Sequence, residues 1–276
     1  MSRLGAGVAS CLWKLPGAAL IVALAGCAGP RIDSQTYRSV GQDSRAQFLI
    51  IHYTAVDLET SIRLLTQHKV SSHYLVTDEK PVRVYRLVDE DRRAWHAGES
   101  HWDRHSMLNG NSIGIEIVNP GNSPRPDGRA DFEPYLPEQI DRVVELVREI
   151  VKRHQIRPDR VLGHSDIAPQ RKVDPGPLFP WKRLADEGLI LWPDEAAVRK
   201  ALPDHQAQLP PVKWFQQALA RHGFLVADHG ELDAPTRRVI AAFQMKYRPA
   251  KYDGLPDAET AALLTALTGL RNEVPR

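Results

Sequence analysis

Both cysteines of this 276-residue chain, Cys11 and Cys27, stand in its first tenth. Everything after Cys27 must fold without an internal disulfide and without a cysteine-based metal site. Stability has to come from apolar packing, so the apolar pattern decides the fold. At 42% hydrophobic and 25% charged residues the balance is that of an ordinary globular protein, long enough for one large domain or two smaller ones.

That pattern mixes two periods. Gln47-Phe48-Leu49-Ile50-Ile51 is a short buried-strand run. Residues 73–77 and 82–88 are strand-like. Along 113–118, Ile113, Ile115 and Ile117 share one face and Gly114, Glu116 and Val118 the other. Arg160–Gly163 is a short final strand. Leu58–His68 reads as a helix with Ile62, Leu64 and Leu65 on its inner side. After Pro137, which suits a first helical turn, Ile140, Val143, Val144, Val147, Ile150 and Val151 form a 3.6-residue stripe. The prediction is an α/β domain over 46–195, with a mixed central sheet flanked by helices. The Pro- and charge-rich stretch 196–209 reads as a linker. Residues 210–270 read as a small three-helix domain with helices at 212–222, 236–247 and 256–267, the second N-capped near Asp233.

The first 26 residues read as a leader. Arg3 and Lys14 precede a 12-residue apolar run, Leu15–Gly26. That is short of the roughly 20 residues of a membrane span and fits a signal-peptide core. The run ends in Leu24-Ala25-Gly26-Cys27, which resembles the lipobox of bacterial lipoproteins. The resemblance implies lipidation of Cys27 and, with Ala at 28 rather than Asp, an outer-membrane anchor facing the periplasm. Residues 27–45 then read as a tether. Removing 1–26 leaves 34 basic against 34 acidic residues, which offers no electrostatic case for a nucleic-acid partner.

Chemistry concentrates where the apolar pattern is interrupted. His52 follows the first strand and His164 follows the last, so both tips are presented from strand ends. The segment VLGHSDIAPQRKVDPGPLFP, 161–180, is too polar and irregular to build a core, yet carries His164, Lys172 and Asp174. Glu116 lies inside an apolar strand, where an unpaired carboxylate is costly. Two His and one Asp from separate segments suit three-ligand zinc with a fourth position for water.

IIHYTA at 50–55, WHAG at 95–98, NSIGIEIVNPG at 111–121 and GHSDIAPQRKVDPGPLFPW at 163–181 resemble, in the same order, the zinc-dependent N-acetylmuramoyl-L-alanine amidases. The resemblance covers 47–185, about half the chain. WFQQAL at 214–219, AAFQ at 241–244 and YDGLPDAET at 252–260 resemble, more loosely, the three-helix peptidoglycan-binding domain. The first resemblance implies one zinc ion per chain on His52, His164 and Asp174. It implies Glu116 as acid/base, Lys172 as stabiliser of the transition state, and Tyr53, Thr54, Trp95 and His96 along the substrate groove. The implied reaction is hydrolysis of the amide between N-acetylmuramic acid and L-alanine, in peptidoglycan or muropeptides; the lipobox and the C-terminal unit point to the lipid-anchored, outer-membrane branch of the family, which suggests 1,6-anhydro-muropeptides as a further substrate. Nothing suggests other than a monomer. A non-catalytic wall sensor and a zinc peptidase of the stem peptide are the competing uses of the same residues.

Overall fold

The computed structural model describes residues 29–124 and 130–273; the leader 1–26 and Cys27 lie outside them. Residues 29–42 carry no helix or strand and are exposed. No helix among the described residues is long and apolar enough to cross a membrane.

From residue 43 on, the elements in chain order are β1 (Phe48–Tyr53), α1 (Leu58–Gln67), β2 (Tyr74–Val76), β3 (Val84–Arg86), β4 (His101–Trp102), β5 (His105–Ser106), β6 (Ser112–Ile117), β7 (Asn122–Pro124), β8 (Ala130–Phe132), α2 (Pro137–His154), β9 (Val161–Gly163), α3 (His164–Ile167), α4 (Trp181–Asp186), α5 (Glu195–Ala207), α6 (Val212–His222), α7 (Ala234–Tyr247) and α8 (Ala258–Glu273). The central sheet has the order β3-β2-β6-β1-β9. Its β2–β6, β6–β1 and β1–β9 pairings are parallel and β2–β3 is antiparallel. This is the mixed α/β sheet expected from the sequence.

Parallel strands are buried on both faces, and two large apolar clusters result, with a smaller one of Leu65, Leu75 and Val118 under α1. On one face Leu49, Ile51, Ile113, Ile115 and Ile117 meet the α2 stripe Ile140, Val143, Val144, Val147 and Ile150. Gln139 ties α2 to the sheet by donating to the Val118 carbonyl at 2.7 Å and the Thr77 carbonyl at 3.2 Å. On the other face Phe48, Ile50 and Leu162 join a cluster that continues through Phe215, Leu219, Phe243 and Leu264 of the C-terminal helices. The C-terminal helices therefore share an apolar core with the sheet.

Several boundaries differ from expectation. β1 runs through His52 to Tyr53, because the ladder with β6 continues past Ile51 and pairs His52 with Glu116. His52 is thus a strand residue, not the residue after a strand. Directly after β9 the polar 161–180 segment forms the helical turn α3, with the Asp166 carboxylate accepting the Gly163 amide at 2.8 Å. Stretch 196–209, read as a linker, is almost wholly the helix α5. Asp194 caps it by accepting from the Ala197 amide at 2.7 Å, and Val198 packs against the shared core. Of the C-terminal helices, α6 begins at Val212 as expected, α7 begins at Ala234, two residues before the expected start, and α8 at Ala258, two residues after it; Asp233 caps α7 through the Thr236 amide at 2.8 Å.

Candidate metal centre and active site

Three elements deliver the two histidines and the aspartate to one point. His52 is the fifth residue of β1, and His164 opens α3 directly beyond β9, the strand beside β1. Asp174 arrives on the following loop. Its backbone carbonyl accepts the Ser165 amide at 2.8 Å, which binds the loop to the turn that carries His164. Farther along, buried Phe179 and Trp181 anchor the segment in the α2-side core. The irregular sequence of 161–180 is the cost of placing Asp174 opposite His164 and returning the chain to the core.

The three donor atoms form a nearly equilateral triangle. His52 Nδ1 to His164 Nδ1 is 2.9 Å, His52 Nδ1 to Asp174 Oδ2 is 3.0 Å, and His164 Nδ1 to Asp174 Oδ2 is 3.1 Å. All three residues are buried. Three such atoms this close repel one another unless a cation or a ring proton lies among them, and the set could hold a metal ion. The outer nitrogen of His164 faces two groups: its Nε2 is 3.2 Å from the Ala97 carbonyl and 3.3 Å from Arg171 Nη2, which leaves Nδ1 turned toward the other two donors. Arg171 donates to the same carbonyl and to that of Glu99. The donor set, two imidazoles and a carboxylate, suits a tetrahedral zinc site with one position open.

Electrostatics agree. Burial, and then the neighbouring His164, lower the pKa of His52 to about 4, so its imidazole is neutral and available as a ligand at pH 7. Burial opposes ionisation of Asp174, yet the facing His164 and His52 hold its carboxyl well below the usual carboxylate range. Glu116 is pushed the other way: burial, and then the Asp174 charge, raise its pKa well above the ordinary value, against the pull of Lys172.

Glu116 is the register partner of His52 on β6. Neighbouring strands lie about 4.8 Å apart and paired positions project to the same face, so the carboxylate stands beside the metal ligands. Its Oε2 is buried and has no hydrogen-bond partner among the described residues. Lys172 is exposed at the mouth. His52, Glu116, His164, Lys172 and Asp174 all line one cleft of about 210 Å³.

The residues expected along the groove separate into three kinds. Trp95 is half-exposed at the rim, with the Arg93 guanidinium 4.1 Å over its ring. Tyr53 and Thr54 border the cleft but are engaged: the Tyr53 hydroxyl donates to Asn122 Oδ1 at 2.9 Å, and Thr54 Oγ1 donates to the Val56 carbonyl at 2.8 Å. His96 is buried behind His52, with Nδ1 3.0 Å from His52 Nε2. It backs a candidate ligand and also contributes to the lining of the cleft. Ala55, Leu64, Leu65, Val70 and Ser71 also line the cleft and were not singled out in the sequence. Leu64 and Leu65 carried only a helix-face signal, Ala55 only its place at the end of the 50–55 motif, and Val70 and Ser71 no signal at all.

A mixed sheet with a His–His–Asp centre at the ends of parallel strands, a carboxylate beside it and a lysine at its mouth has the makings of a hydrolase site that could hold a metal ion. Comparison with known proteins names the group. Residues 42–177 match the family model described as N-acetylmuramoyl-L-alanine amidase, and residues 208–264 match a peptidoglycan binding domain model. The chain is 42% identical over 267 residues to the N-acetylmuramoyl-L-alanine amidase AmiD of Escherichia coli K12, which spans 92% of this chain and 95% of that one. Among solved structures, AMPDH3 of Pseudomonas aeruginosa in complex with anhydromuramic pentapeptide superposes with a TM-score of 0.81 at 39% identity, over 87% of this chain and 98% of that one. The E. coli AmiD complex with anhydro-N-acetylmuramic acid-L-Ala-D-γ-Glu-L-Lys gives 0.79 at 40% identity, over 88% and 95%. The chain belongs to the N-acetylmuramoyl-L-alanine amidase family, enzymes that open the bond between the wall sugar and its stem peptide, and it carries an appended peptidoglycan-binding-type domain.

Proposed function

We propose that this chain hydrolyses the amide joining N-acetylmuramic acid to L-alanine, with anhydro-muropeptides among its substrates, at a single zinc ion on His52, His164 and Asp174. The observation that carries the reading is the triangle of buried donor atoms with Glu116 in register beside it. Zinc bound there supplies a Lewis acid that polarises the carbonyl and brings the pKa of water from about 16 to near 7.

The chain's own groups do the rest. Glu116, held in low-dielectric surroundings with Oε2 unpartnered, takes the proton of the attacking water and returns it to the departing L-alanine nitrogen. Its raised pKa suits both halves of that transfer, because a carboxyl nearer neutrality is a better base and a competent acid. Lys172 places a positive charge at the mouth, where the scissile carbonyl oxygen becomes an oxyanion. The apolar wall of Leu64, Leu65 and Val70 and the face of Trp95 offer surface for the stem peptide and the sugar. The products are a muramic acid-ended glycan or sugar and a free peptide beginning with L-Ala.

For location, we read Cys27 as a lipid attachment site that holds the enzyme at the periplasmic face of the outer membrane, with 27–45 as its tether and the C-terminal domain as a contact to the wall. The support is the 12-residue apolar run and the Leu-Ala-Gly-Cys junction. The working species is a monomer. Incorporation of labelled palmitate that is lost in Cys27→Ser tests the anchor, and light scattering tests the monomer. For the reaction, defined muropeptides are digested and the products weighed: release of a peptide beginning with L-Ala supports the proposal, and scission within the stem peptide overturns it.

A further inference from the structure

Strand β6 carries Ser112, Gly114 and Glu116 on one face, by the alternation of strand side chains. Only Glu116 belongs to the reaction described above. The other two positions have a role that follows from the hydrogen-bond order around His96.

The Ser112 hydroxyl donates to the Leu108 carbonyl at 2.6 Å. A hydroxyl has one proton, so Ser112 Oγ is an acceptor toward its other neighbour, His96 Nε2, at 3.1 Å. His96 Nε2 therefore carries the ring proton of the neutral imidazole and His96 Nδ1 carries a lone pair. That lone pair faces His52 Nε2 at 3.0 Å and accepts its proton. The one remaining nitrogen of His52, Nδ1, is left with a lone pair among His164 Nδ1 and Asp174 Oδ2. Reading from the other end gives the same order: a cation at Nδ1 requires the proton of His52 on Nε2. A backbone carbonyl and the donor triangle thus impose one proton order from opposite sides.

The ring of His96 is seated for this purpose. Asn109 Oδ1 accepts both the His96 amide at 3.1 Å and the Ala97 amide at 2.7 Å, which fixes the loop. A Cβ at position 114 would lie 2.6 Å from His96 Cγ, so only glycine leaves room for the ring on β6.

We propose that His96 and Ser112 are positioning residues for the metal site: acting in series, they hold His52 as its Nε2–H tautomer, with the ligand lone pair already aimed when the ion arrives. This rests on the metal reading of the site, but its first test does so without metal. Long-range proton–nitrogen NMR of histidine-labelled, metal-free protein above pH 7.5 reports the tautomer of each ring. His52 and His96 are both expected to be Nε2–H; a proton on His52 Nδ1 overturns the proposal. The second test is Ser112→Ala, with zinc affinity measured by competition against a chromophoric chelator and melting of the metal-free form measured alongside. Zinc binding is expected to weaken by about 10–100-fold, and the metal-free melting shows that the variant is still folded under the conditions of the titration. Unaltered zinc affinity in Ser112→Ala overturns the proposal. Should Ser112→Ala fail to fold, the tautomers of the unaltered protein decide. No zinc binding by the unaltered protein sinks the metal reading itself, whereas normal binding with the opposite His52 tautomer sinks this proposal alone.

Discussion

Lys246 of α7 donates to Asp166 of α3 at 2.8 Å, and both side chains are buried. The same ammonium reaches the Val161 carbonyl at 3.2 Å and lies 4.3 Å over the Trp181 ring. Asp166 in turn holds the Gly163 amide, one residue before the ligand His164. A lysine of the C-terminal domain thus neutralises the carboxylate that shapes the turn carrying His164. Replacing Lys246 by Met leaves a buried charge unpaired, and we expect a stability loss of about 3–5 kcal/mol in urea denaturation. The double variant Lys246→Met, Asp166→Asn keeps an oxygen for the Gly163 amide without the charge, and should recover most of that loss. Equal stability of the single variant and the parent protein would contradict this account.

His164→Ala and Asp174→Ala each remove one corner of the donor triangle. Each should lose bound zinc and activity together, with zinc content read by elemental analysis after dialysis. A variant that loses activity while holding a full equivalent of zinc would mean that the altered residue is not a ligand.

Glu116→Gln keeps the shape of the side chain and removes its basicity. Zinc should stay bound while kcat falls about 100–10,000-fold, the usual weight of a positioned acid/base group. Because burial and the Asp174 charge raise the Glu116 pKa, loss of the base on acidification should begin well above pH 4.5. The acid limb of kcat/KM is the measurement, and its disappearance from the residual rate of Glu116→Gln is the expected result. Lys172→Ala should lower kcat about 100–1,000-fold with zinc retained.

Acid stability should depend on Glu90. Burial works against its charge, but hydrogen bonds from Arg153, Tyr74 and His154 hold its pKa down to about 2. The folded carboxyl therefore has a lower pKa than the unfolded one at 4.5. Its contribution is complete above pH 4.5 and is lost as pH falls toward 2. Glu90→Gln should be less stable than the parent at pH 6 and show a shallower loss between pH 4.5 and 2, measured by denaturation at fixed pH values. Parallel profiles would contradict the assignment.

The parts of the site visible in the sequence are those that break a pattern. Glu116 interrupts an isoleucine strand, and His52 and His164 adjoin the apolar runs that became β1 and β9. Lys172 and Asp174 stand in a segment with no apolar period to explain it. What stayed hidden depends on register and docking. His52 pairs with Glu116 only because the β1–β6 ladder extends past Ile51. The Ser112–His96–His52 series needs that register together with a loop 16 residues earlier in the chain, which no local pattern encodes. Lys246 sits on an amphipathic helix where lysine is ordinarily solvated, and only the packing of α7 onto α3 buries it. Residues 196–209 read as a linker because their prolines and charges outweighed a weak helical pattern; the Asp194 cap and the packing of α5 against α8 supply what propensity lacks.

The most direct measurement is a zinc titration of the chelated enzyme, with release of the L-Ala-ended peptide from an anhydro-muropeptide followed by mass spectrometry. One ion at His52, His164 and Asp174 predicts no turnover without metal, and activity rising linearly to a plateau at one equivalent of zinc per chain. Full turnover in the chelated protein, or a plateau only at two equivalents, would contradict a single-zinc amidase site.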